Sequence, residues 1–177
     1  MSISLYDASI PACVAVLTNL KNMLGKAATE KPEAELIEAR LCPDMYALAR
    51  QVQFVSDTAK GIAARLGGAE SPSMPDTEAS FAELKERCDK TIAFIQSVDA
   101  AAIDAGAERE IEIKFPSGGG MRFDGLTYLT GFALPNLYFH ASMAYAILRK
   151  EGVSVGKTDF LAHLAPHMFA PPVAADA

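Results

Sequence analysis

Two polar residues interrupt an otherwise apolar run. Between Asp124 and Arg149 the chain carries no charged residue, yet Asn136 and His140 stand there, in step with Leu129, Ala133, Met143 and Ile147. Steps of four, three, four, three and four trace one side of a helix, the seam it would turn toward its neighbours in a bundle. An imidazole and an amide on such a seam each need a partner, because an unpaired buried polar group costs about 1–3 kcal/mol. A second polar set lies upstream. Arg50, Gln53 and Asp57 form a line with Tyr46 and Lys60, about 100° round from the apolar seam of the same segment.

If the two sets face each other, they line a small polar pocket that takes a small-molecule ligand. His140 would then be the catalytic candidate, a general acid or base near neutral pH if a carboxylate such as Asp57 orients it. Arg50 would hold an anionic group, and Tyr138 or Tyr145 would complete the lining. Two plainer readings compete. A bond from His140 to an Asn or Asp across helices would fix register without chemistry, and the Arg50 line would be a solvated flank of helix-spaced ion pairs.

Other motifs say less. His163 and His167 have the spacing of a helical ligand pair, but Pro166 stands between them, so they read as tail residues. The glycines of Ser117–Gly120 are followed by neither a helix start nor a P-loop lysine, and they suit a hairpin tip better than a phosphate cradle. Cys13, Cys42 and Cys88 lack CxxC spacing. An odd, sparse count suits thiols packed as small hydrophobes in a reducing cytoplasm.

The elements that must position these residues follow from periodicity. A first helix starts near Ser4 or Asp7 and is expected to stop at Gly25. A short helix follows over 31–41. A second long helix is predicted from Pro43-Asp44 to Gly67, with Met45, Leu48, Val52, Val55, Ala59, Ile62 and Leu66 as an unbroken seam. Residues 67–76 are a loop, and Asp76 or Thr77 is expected to cap a third helix with Phe81, Leu84, Cys88, Ile92 and Ile95 inward. Its Arg87 falls among the charged residues of the solvated side. Ala100–Ala105 adds a helical turn. Alternation in Glu108–Phe115 marks a half-buried strand, returned by 121–123 after a glycine turn. Asp124 opens the fourth long helix, which Pro135 should kink by removing one backbone bond.

This makes an all-α, up-down four-helix bundle with a small β-hairpin before its last long helix. It is expected to be a single domain over residues 1–161, followed by a poorly ordered tail over 162–177. At 177 residues, half of them hydrophobic, the chain suits one well-buried domain. A net charge of −6 without a Lys/Arg cluster argues against broad nucleic-acid binding. No secretory signal opens the sequence. Residues 125–148 are uncharged for longer than the roughly 20 residues that span a bilayer, but a helix apolar nearly all round is equally expected at the centre of a bundle.

The order helix, helix, helix, hairpin, helix resembles the DinB/YfiT-like four-helix bundles, a superfamily grouped as metalloenzymes. The stretches MSISLYDASIP, ARLCPDMYALARQVQF, DTAKGIAARL, FALPNLYFHASMAYAILRKEGV and GKTDFL look more closely like a bacterial domain-of-unknown-function family placed there. The resemblance covers residues 1–161 and implies fold, not activity. The superfamily's usual site is a divalent metal held by one histidine of the second helix and an HxxxH pair of the fourth. Here only His140 matches. Asn136 precedes it by four and Ala144 follows by four, while Gln53 or Asp57 would have to replace the histidine of the second helix. A metal, if present, would rest on His140 with Asp57, and amides are poor ligands for such ions. An apolar face on the first or fourth helix would support a homodimer.

Overall fold

The computed structural model describes residues 3–115 and 117–169. Ser4 opens the first helix, α1 (Leu5–Glu30), by accepting the Asp7 backbone N–H on its hydroxyl. The helix does not stop at Gly25. Ala27 beyond it is fully buried, and an interior glycine costs only about 1 kcal/mol relative to alanine. The stop comes at Lys31, extended at φ −142°, where the following Pro32 disfavours helical backbone. A short α2 (Glu33–Ile37) follows.

The second long helix, α3 (Leu48–Gly67), starts later than the Pro43-Asp44 signal predicts. Residues 38–47 are instead held in a loop, with the Leu48 N–H donating to the Ala39 carbonyl and Arg40 to the Met45 carbonyl. The predicted seam is otherwise intact: Leu48, Val52, Val55, Ala59, Ile62 and Leu66 are all fully buried. Ser80, rather than Asp76 or Thr77, caps α4 (Phe81–Ser97). Asp76 is engaged elsewhere, by Arg50 and Arg87.

Then come α5 (Ala100–Asp104) and an antiparallel hairpin of β1 (Ile111–Lys114) and β2 (Gly120–Phe123), with Ile111 opposite Phe123 and Ile113 opposite Met121. The last long element is composite. It comprises α6 (Gly125–Thr127), a π-helical segment Tyr128–Ala133, and α7 (Leu134–Lys150). The Leu134 N–H reaches back to the Leu129 carbonyl, the i→i+5 bond of a π turn, just before Pro135 has no N–H to give.

The wide turn shifts the inner seam by one residue. Beyond Leu129 and Ala133 the buried line runs through Leu137, Ala141, Ala144 and Leu148. Asn136, His140 and Met143 come to lie on its half-buried flank instead. A strictly α-helical count from Leu129 places them inward; the extra residue in the π turn rotates them aside.

Four long helices pack in a ring, α1 against α4 and α7, and α3 against the same two. Contacts from Gln51 to His140, Thr58 to Asn136 and Arg65 to Tyr128 set α3 antiparallel to α7. The loop 68–80 runs back along the bundle. It leaves the end where Gly67 adjoins Val98 and returns to put Glu78 beside Gln53. Thus α3 and α4 run the same way, and α1 and α7 the other. The long helices therefore do not alternate up and down as the sequence suggests: a long returning loop, rather than a tight turn, joins α3 to α4. Thirteen residues extend far enough, since about 3.3 Å each exceeds the ~30 Å of a 20-residue helix.

Past α7, α8 (Lys157–Phe160) and a 3-10 turn (Ala162–His167) lie on α1. Buried Asn19 donates to the Phe160 carbonyl and meets His163 Nδ1 at 2.8 Å. Residues 170–177 of the expected tail lie outside the described residues. Among the described residues no helix is long and apolar enough to cross a membrane.

Candidate functional site

His140 projects from α7 toward the N-terminal half of α3. Its Nδ1 lies 2.8 Å from Gln51 Oε1, and the other end of that amide donates to the Tyr46 carbonyl at 3.2 Å. The second bond fixes which way the amide points. Its oxygen therefore faces the ring, Nδ1 carries the proton, and the lone pair is on Nε2. The ring stacks on Phe54 with centroids 4.6 Å apart and meets Phe139 edge-on at 5.1 Å. Tyr46 closes on Phe54 from its edge, and the Arg50 guanidinium sits over the Phe54 ring at 4.2 Å. Partial burial, helped by the nearby Arg50 charge, pulls the His140 pKa below its ordinary value. Burial thus favours the neutral form of the imidazole. Tyr46 is 58% exposed and Phe139 52%, so the rings form a rim open to solvent.

One turn away, Asn136 Nδ2 donates to Thr58 Oγ1 at 2.9 Å, and Thr58 donates to the Phe54 carbonyl. The polar partners of α7 are thus Gln51 and Thr58, not Gln53 and Asp57. Those two belong to a different cluster, centred on Arg87, which the sequence pattern assigns to the solvated side of α4.

Arg87 is 2% exposed. Its guanidinium donates to Asp57 (2.7 Å), Glu78 (2.9 Å), Ser56 (3.0 Å) and the Pro75 carbonyl (3.2 Å), and Asp76 lies 3.0 Å away. Burial by itself would lower the Arg87 pKa; the Glu78 and Asp57 carboxylates reverse this and raise it. Gln53 joins this network by donating to Glu78, and Arg50, which lies over Phe54 of the His140 rim, links the two clusters by also bonding Gln53 and Asp76. Nothing in the local sequence marked Arg87 for burial. The signal lay in Asp76 and Glu78, two carboxylates near the end of a long loop.

Over residues 5–161 the sequence matches the family described as a domain of unknown function, DUF1993. The chain belongs to that family. This DUF1993 protein also resembles the crystal structure of a DinB family member protein from Shewanella denitrificans. The two are 35% identical over 97% of this chain and 96% of that one, with a TM-score of 0.80. No curated protein is similar enough to match. The DinB-like bundle with its inserted hairpin is therefore the fold of this DUF1993 chain.

The remaining sequence candidates fall away from the His140 rim. Tyr138 is on another side of α7, partly exposed, and burial raises its pKa. Tyr145 packs edge-on against Phe160 of α8. His163 is tied to Asn19, far from His140 in the chain and on α1 rather than α3. Cys13 and Cys88 are buried thiols whose pKa is pushed up to about 12 by desolvation, which makes them inert packing.

The donor set does not fit the divalent ion that the superfamily resemblance implies. Around His140 it offers one imidazole nitrogen and two amides already committed to protein partners. Asp57, the carboxylate a metal would need, is bonded to Arg87 and Lys60 in the other cluster. Among the described residues no group of three or more His, Cys, Asp and Glu side chains is arranged to hold a metal.

Proposed function

We propose that this DUF1993 bundle binds a small organic molecule at the rim formed by Tyr46, Phe54, Phe139 and His140. The carrying observation is the Gln51 contact on His140 Nδ1, which leaves Nε2 outside that bond, with half-exposed rings on either side. Such a rim suits a flat or apolar ligand that donates one hydrogen bond. Arg50 sits over Phe54 and adds positive charge at one edge. His140 acts as a hydrogen-bond acceptor, and as a proton acceptor where a ligand's acidity allows.

A panel of aromatic and heteroaromatic fragments, followed by NMR through the His140 ring signals, tests this reading. Hits should move those signals and lose affinity in both Phe139→Ala and His140→Ala. Fragments that bind both variants as well as the parent protein would overturn it.

A second reading has its own support. Both α7 polar groups are bonded to α3 side chains, and no buried side-chain nitrogen or oxygen among the described residues lacks a partner. In this reading the pairs fix the register of α3 against α7, and the rim binds nothing. His140→Ala would then change stability alone.

A further inference from the structure

A second recess lies at the opposite end of α3, about 21 Å from Gln51 for the fourteen residues to Arg65. It is a cleft of about 580 Å³ between α3, the start of the loop after it, and the strand β1. Small residues of α3 and the loop, Gly61, Ala64, Gly68 and Ala69, leave it depth. Three cations, Lys60, Arg65 and Arg109, line it.

The carboxylates on the same walls are already engaged. Asp57 pairs with Lys60 and Arg87, while Glu110 and Glu112 pair with Arg122. Arg65 and Arg109 form no ion pair among the described residues. The Arg65 guanidinium folds back over Gly61, where a Cβ would stand 2.1 Å from it, and donates to the buried Tyr128 hydroxyl at 3.1 Å. The Arg109 guanidinium lies over Gly68, whose φ of +68° closes α3, at 2.2 Å from the position of a Cβ. Two glycines seven residues apart, one within α3 and one at its C-cap, thus seat two guanidinium groups along one cleft. Each keeps donors for an oxyanion. In a chain of net charge −6, two arginines on one concave surface, neither paired with a carboxylate among the described residues, are free to attract an anion.

We infer that this cleft binds a small carboxylate or phosphate anion, gripped by Arg65 and Arg109 with Lys60 beneath. Guanidinium forks match both oxyanions in a paired geometry. The site is independent of the His140 rim and stands or falls without it.

Titration calorimetry of the whole chain with succinate, citrate and inorganic phosphate, at constant ionic strength, tests the inference and separates the two anion classes. At least one should saturate at one per chain. Losing one charged hydrogen-bond donor should weaken it about tenfold in Arg109→Gln, which leaves the core untouched, and in Arg65→Gln. Arg40→Gln, outside the cleft, should bind as the parent chain does. Absence of saturable binding by all three probes would overturn the proposal. Equal weakening in Arg40→Gln would also overturn it, because the attraction would then be that of general surface charge.

Discussion

The two sides of α3 handle polar groups in opposite ways. Toward α4, a single buried guanidinium gathers three carboxylates, two of them from the returning loop, and Ser56 bonds Thr91 at 2.8 Å beside it. Toward α7, two neutral pairs, Gln51 with His140 and Thr58 with Asn136, bridge the helices one by one. The first arrangement is costly to break, because removing the buried cation leaves three carboxylates together with only Lys60 and Arg50 at their edge. The second exchanges hydrogen bonds with water at little net cost. Strength of attachment and openness to a ligand therefore fall on different sides of the same helix.

Four measurements would break or sharpen this contrast. Arg87→Ala should destabilise the chain by about 3 kcal/mol in denaturant unfolding, the low end for a broken buried pair, since Asp57 and Asp76 retain some exposure. A loss below that for a neutral pair would erase the difference between the two sides. Gln51→Ala should cost about 1 kcal/mol and free the His140 ring to change tautomer, which the ring's nitrogen chemical shifts report. The double-mutant cycle of Asn136→Ala with Thr58→Val should give a coupling of about 0.5–1 kcal/mol; a coupling near zero would mean that this bond does not hold the helices in register.

The smallest effect is on pH dependence. His140 takes up a proton less readily in the folded chain than in the unfolded one. The unfolded state therefore binds more protons as pH falls through its ordinary histidine range near about 6.5. Stability should decline on that side and recover as pH rises, and His140→Ala should flatten this slope. The carboxylates held low by hydrogen bonds, Asp124 through Thr127 and Asp159 through Gly156, act in the same direction but in the carboxylate range below it. An unchanged slope near pH 6.5 in His140→Ala would place its origin elsewhere.

Much of this architecture was legible in the chain. The α3 seam, the hairpin alternation, the Asp124 cap and the loop after Gly67 are local patterns, and local patterns survive folding. The site was legible only in part. His140 and Asn136 do turn to α3, but the partners read for them were wrong by position: Gln53 and Asp57 face α4, and Gln51 and Thr58 answer instead. Periodicity assumes 3.6 residues per turn, and a single wider turn between Tyr128 and Ala133 is invisible to it. Arg87 was missed for another reason. A charged residue on a helix reads as solvated unless the chain that covers it is known, and its cover is irregular backbone with no periodic signature.

The π segment holds one residue more than a regular helix of the same rise would need. Removing Gly131, which is exposed and meets little beyond the Thr127 methyl, should let the segment close into ordinary α-helix. Leu137, Ala141 and Ala144 would keep their inward places. Homologues shorter by a single position between Tyr128 and Pro135 should accordingly be straight there, with the same side chains against α3. The π turn would thus let the chain lose a residue at that point without repacking what lies downstream.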